Sequence, residues 1–250
     1  MSGSCRVCTT PGRESVREII RKLHEIKDDA HARVLQRFFK TGPGEYGEGD
    51  VFLGIRVPQL RSLARTYAHL DPGDALELLR SPFHEARLLA LIILVQTYRS
   101  GDAFFKGRIY NLYLENTRFI NNWDLVDVSA EHILGAYLFE GDRAPLVGLA
   151  RSEDLWERRM AVMATFHFIR KGEFAETFAI AAMLLSDRED LIHKACGWML
   201  REIGKRDPEA EEGFLARHCR IMPRTMLRYA IERFPRDRRQ YYLKGMPDRD

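Results

Sequence analysis

Arg159-Met-Ala-Val162, Lys194-Ala-Cys-Gly197 and Arg228-Tyr-Ala-Ile231 each set one basic residue before a small-residue or apolar helix face, and they recur 35 and 34 residues apart. Arg87-Leu-Leu-Ala90 lies 72 residues before Arg159, close to two of those periods. A fixed period of this length is what stacked helix pairs show, because one pair cannot bury its apolar face alone. Stacked neighbours bury it and leave a curved surface along which the repeated cation can recur. The competing arrangement is a loose helical bundle in which the spacing is coincidental.

Outward from these segments the periodicity stays helical. Val16, Ile19, Ile20 and Leu23 fall on one apolar face of a first helix, and about a dozen segments of roughly 10–18 residues read the same way. No stretch sustains the period-two alternation of strands. Breakers fall between the periodic segments: Thr41-Gly-Pro-Gly44, Asp71-Pro-Gly73, Gly101-Asp102, Gly141-Asp142, Lys171-Gly172, Asp207-Pro208 and Pro223. They are spread evenly, so none marks a domain boundary. The expectation is a single domain over residues 13–240, with tails at 1–12 and 241–250.

The 250 residues are 45% hydrophobic and 30% charged, the balance of a chain with a real core. The longest apolar runs, such as Leu88–Val95, are eight residues, far short of the roughly 20 that a membrane span needs. The polar N-terminus lacks an apolar signal core, so a cytoplasmic location is expected, nucleoid-associated in a bacterium. Net charge is only +3, but residues 201–250 hold 13 Lys/Arg against 9 Asp/Glu and leave the rest of the chain slightly acidic. That distribution allows a local basic surface. Cys5 and Cys8 form a CxxC in a polar tail with no further ligands nearby, and read as incidental thiols rather than a zinc site.

Two clusters carry chemistry. In Asn121-Asn-Trp-Asp-Leu-Val-Asp127 the asparagines are natural N-caps, Trp123 and Asp127 lie four apart on one helix face, and Asp124 points to a neighbouring face. Taken singly, Asp127 is a dipole-stabilised carboxylate and Trp123 a core aromatic. In Lys194-Ala-Cys-Gly-Trp-Met-Leu-Arg201, Trp198 and Arg201 share a face and Gly197 permits close helix packing. Leu155-Trp-Glu-Arg-Arg159 reads by itself as a solvated charged face.

Together with Gly54-Ile-Arg-Val-Pro-Gln-Leu-Arg61, these segments resemble the AlkD-type DNA alkylation repair glycosylases over about residues 13–235. The resemblance implies an all-α fold, an α-α superhelix of HEAT-like helix-pair repeats curved around duplex DNA at a concave face. It implies catalysis by Asp127 between Trp123 and Trp198, and DNA contacts from Arg159, Arg201 and Lys194. The implied substrates are cationic N3- and N7-alkylated purines such as 3-methyladenine and 7-methylguanine. The N-glycosidic bond would be hydrolysed without base flipping and with no metal or organic cofactor. The implied partner is double-stranded DNA, bound by a monomer. A non-catalytic relative that binds damaged or branched DNA would lack the two tryptophans and the aspartate. A HEAT-repeat protein-interaction scaffold would carry an apolar or acidic concave face in place of Arg159, Lys194 and Arg201.

Overall fold

The computed structural model describes residues 11–245; the Cys5/Cys8 tail lies outside them. The helices are α1 (Pro11–Glu25), α2 (Asp29–Phe38), α3 (Val57–Thr66), α4 (Pro72–Leu79), α5 (His84–Ser100), α6 (Ala103–Glu115), α7 (Trp123–Ser129), α8 (Ala136–Phe139), α9 (Ala144–Ala150), α10 (Leu155–Arg170), α11 (Ala175–Met183), α12 (Asp190–Gly204), α13 (Pro208–His218), α14 (Arg224–Ala230) and α15 (Arg236–Leu243). Among the described residues there is no strand, only an isolated bridge between Val51 and Phe83. The fold is all-α. None of these helices is long and apolar enough to cross a membrane.

Local chemistry explains where the helices begin. Asp28, Asp71, Asp102, Asp154 and Asp207 each accept a backbone N–H from the first turn of the helix that follows. Such a cap satisfies a donor that has no intrahelical partner. Pro58, Pro72 and Pro208 stand at the first positions of α3, α4 and α13, where the missing N–H costs nothing. The breaker segments accordingly fall at helix joints.

The described residues fall into two compact units, one up to Leu125 and the other from Val126. The helices also run past both expected ends, since α1 begins at Pro11 and α15 reaches Leu243. In the first unit α5 packs against α3, α4 and α6. It is buried from His84 to Val95, so the apolar run Leu88–Val95 is a helix covered on all sides. Each such leucine or isoleucine contributes about 1.5–3 kcal/mol by leaving water. In the second unit α10 packs on α9, α11 and α12, and α12 on α14. Gly197 sits where a Cβ would overlap the Met226 carbonyl oxygen, so the α12–α14 approach requires glycine. Gly135 meets the Ala164 carbonyl in the same way, inside a π turn over Glu131–Gly135 that follows α7.

The repeated cations keep a common register. Arg159, Lys194 and Arg228 are each the fifth residue of α10, α12 and α14, and Arg87 is the fourth of α5. Their surroundings differ. Arg87 and Arg159 are buried, whereas Lys194 and Arg228 reach solvent.

Candidate functional site

In the second unit Asp127 lies on α7, one turn after Trp123, and meets Arg159 of α10 in a two-pronged ion pair. Arg159 Nε donates to Oδ1 and Nη2 to Oδ2, both at 2.9 Å. The third guanidinium nitrogen, Nη1, donates to the Leu191 carbonyl at 2.7 Å in the first turn of α12. Arg159 thus fixes Asp127 and ties α10 to α12. The Arg159 side chain is 6% exposed and that of Asp127 17%. A planar fork matched to both carboxylate oxygens sets orientation as well as distance.

In this geometry Arg159, expected to contact DNA, is engaged with Asp127 and the Leu191 carbonyl. All three nitrogens are committed and buried, and breaking such a pair costs about 3–5 kcal/mol.

On α12, Lys194, Trp198 and Arg201 follow at i, i+4 and i+7 and share one stripe. Lys194 pairs with Asp190 at 2.8 Å and is 40% exposed, a surface pair of small energy. Trp198 is half-buried; its indole N–H donates to Glu202 at 3.2 Å, and its ring lies 6.3 Å from that of Phe166. Arg201 pairs with Glu232, and its Nε is buried without a hydrogen-bond partner.

Trp123 belongs to the first unit. One face of its indole stacks on Phe39 (5.0 Å, 12°), and Phe38 approaches edge-on at 6.1 Å. The column continues from Phe39 to Phe52 and from Phe52 to His84. Only part of Trp123 is therefore left to meet a cation.

Asp124, on the face next to that of Asp127, has a partner of its own. It accepts from His84 Nε2 at 2.8 Å, while His84 Nδ1 bonds Asp50 at 2.8 Å. Asp50 also pairs with Arg87 and accepts from Asn122 Nδ2 at 3.1 Å. Burial alone would drive the His84 imidazole toward neutrality, but the Asp124 and Asp50 carboxylates outweigh it and hold its pKa at about 9. The ring is a buried cation between two carboxylates. Burial would likewise raise the Asp50 carboxyl, yet His84 and Arg87 keep it below its ordinary value.

Asp50, His84 and Glu85 were missed in the sequence, and Asn122 was read there only as an N-cap. Asn122 is not a regular cap: its Oδ1 takes the next residue's N–H and its amide reaches Asp50. Glu85 explains the Gly54-Ile-Arg-Val-Pro segment, because its carboxylate accepts the N–H groups of Leu53, Gly54 and Ile55. Gly54 holds φ +83°, and a Cβ there would overlap the Asp28 carbonyl oxygen. The one available signal was a His-Glu pair opening a helix that turned out to be buried.

No curated protein matches the sequence. Among solved structures, a predicted DNA alkylation repair enzyme from Enterococcus faecalis is similar with a TM-score of 0.65 and 16% identity, over 84% of this chain and 97% of that one. AlkD2 from Streptococcus mutans is similar with a TM-score of 0.51 and 16% identity, over 90% of this chain and 99% of that one. At that identity the likeness establishes the fold. The family model for DNA alkylation repair enzymes matches residues 19–234, most of the chain. The chain therefore belongs to the DNA alkylation repair enzyme family.

Proposed function

We propose that this protein is a DNA glycosylase that hydrolyses the N-glycosidic bond of cationic N3- and N7-alkylated purines in duplex DNA, with Asp127 as its catalytic carboxylate. The observation that carries this reading is the fixed, partly exposed Asp127 on the Arg159 fork. An alkylated purine leaves as a neutral base, so positive charge moves onto the deoxyribose during bond breaking. A carboxylate held near that sugar gains interaction as the charge develops and can orient the attacking water. Preorganisation matters here, because a group already in place needs no reorientation at the moment of reaction.

Arg159 is a positioning residue in this account. Trp198 and Trp123 offer indole surface to the cationic lesion and exclude water around it. Arg201 and Lys194 supply phosphate contacts that place the duplex without reading its sequence. Lesion choice follows leaving-group charge, so no pocket for a flipped base and no metal is required. One observation favours the alternative of a non-catalytic binder of damaged DNA: the Arg159 cation offsets part of Asp127's charge. The two readings separate in one assay. The full chain is incubated with duplex DNA bearing a single 7-methylguanine, and any abasic site is cleaved with alkali. Strand cleavage above the no-enzyme background is expected; binding without cleavage would replace this reading with the alternative.

A further inference from the structure

Within the second unit a cavity of about 260 Å³ opens beside the last turn of α12. Four cations line it: Arg201 and Lys205 of α12, Arg233, and Arg238 of α15. Three are engaged, Arg201 with Glu232, Lys205 with Glu202 and Arg238 with Glu212. Arg233 is exposed and has no ion-pair partner among the described residues.

Glu211 makes this cavity more than a basic hollow. It projects from the first turn of α13, is 1% exposed, and its Oε1 has no hydrogen-bond partner. The carboxyl lies against Gly204, where a Cβ would overlap it, so α12 carries a glycine where this acid sits. Arg201 Nε is a second buried polar atom without a partner on the same cavity. An unpartnered buried polar group costs roughly 1–3 kcal/mol, and two on one cavity point to a ligand that completes both.

We propose that this cavity binds a phosphate-type oxyanion, which accepts from Glu211, Arg201 and Arg233. Burial first, and then Glu212 on its own helix, push the Glu211 carboxyl up to about 8 against the opposing pull of Arg201 of α12. Lys205 and Arg238 also line the cavity and favour the anion. Below about pH 8 Glu211 is the neutral acid, which donates its O–H to an anion instead of repelling it. Phe234, Pro208 and Pro235 wall the remainder with apolar surface, which suits an ester attached to the phosphate. The proposal shares Arg201 with the DNA contacts proposed above but does not depend on the glycosylase reading, and its test measures no excision.

The full chain is titrated with inorganic phosphate by calorimetry at pH 7.5 and pH 9. Saturable binding is expected at pH 7.5, weakened several-fold at pH 9 as Glu211 ionises. Arg233→Ala should weaken it about tenfold. Glu211→Gln keeps a donor but cannot titrate, so it should bind at both pH values without the decline. Adding a short duplex separates the sources: a phosphate heat that disappears assigns the site to a DNA phosphate, and one that persists assigns it to a free phosphate or phosphomonoester. Absence of saturable phosphate binding overturns the proposal, as does binding indifferent to Arg233→Ala with the same pH profile in Glu211→Gln.

Discussion

Asp50 in the first unit and Asp127 in the second are each gripped by an arginine near the start of a long buried helix, Arg87 of α5 and Arg159 of α10. Asp50 is then closed off by His84 and Asn122, and 1% of its side chain is exposed. Asp127 is held by the Arg159 fork and keeps 17%. The same pairing serves two ends. A carboxylate enclosed by three donors organises its surroundings, while one oriented by a fork and left partly exposed has the access that the proposed chemistry requires.

The largest expected effect lies on the closed side. Asp50→Asn leaves His84 and Arg87 as buried cations short of a counter-charge and should destabilise the protein by about 3–5 kcal/mol in denaturant melts. A loss below about 1 kcal/mol would erase the distinction between the two carboxylates. Arg159→Lys keeps the charge but loses the fork, and single-turnover excision should fall roughly 10–100-fold, in line with the loss of a group that orients an active-site ligand. Duplex affinity should change little; a loss of affinity with an unchanged rate would restore the phosphate-clamp role.

The pH response sharpens the contrast further. His84 titrates near 9 in the fold against about 6.5 when unfolded, so its contribution is fully present below about pH 6.5 and is lost as pH rises through about 9. Glu211 adds a separate slope, because a carboxyl raised to about 8 loses stability between about pH 4.5 and 8. In a Glu211→Gln background, melting temperature should therefore hold more nearly level to about pH 7 and then fall toward pH 9. A flat profile through pH 9 would remove the charged His84 from the account. Smaller again is Arg201→Ala, expected to weaken duplex binding and to lower the slope of log affinity against log salt by about one. The smallest expected effect is that of EDTA, which should leave excision intact; loss restored by a divalent metal would overturn the electrostatic mechanism.

The sequence carried the helical fold in its periodicity, and the basic residues at 159, 194 and 228 did mark the same position in three alternate helices, α10, α12 and α14, with Arg87 one position earlier in α5. It could not carry what those cations face. Arg87 and Arg159 meet carboxylates 37 and 32 residues earlier in the chain, and pairing over such distances leaves no periodic trace. Spacing alone therefore read the Arg159 segment as a solvated charged face and placed Asp124 only on the face next to that of Asp127. Gly197 was legible because its neighbours were already helical, so a glycine there had packing as its physical reason. The Asp50–His84–Asp124 chain was illegible because its three members come from a loop and two separate helices.

Asp127→Asn tests the central claim most directly. The substitution removes the charge and turns an amide toward the Arg159 fork, so a bond is lost along with the charge. Single-turnover excision of 7-methylguanine from duplex DNA, at saturating protein and at a temperature where the variant is folded, should slow by on the order of 10²–10³ while duplex affinity stays close to that of the parent; the melting temperature should fall, because Arg159 loses its buried counter-charge. An unchanged excision rate in a folded, DNA-binding Asp127→Asn protein would contradict the assignment of chemistry to this carboxylate.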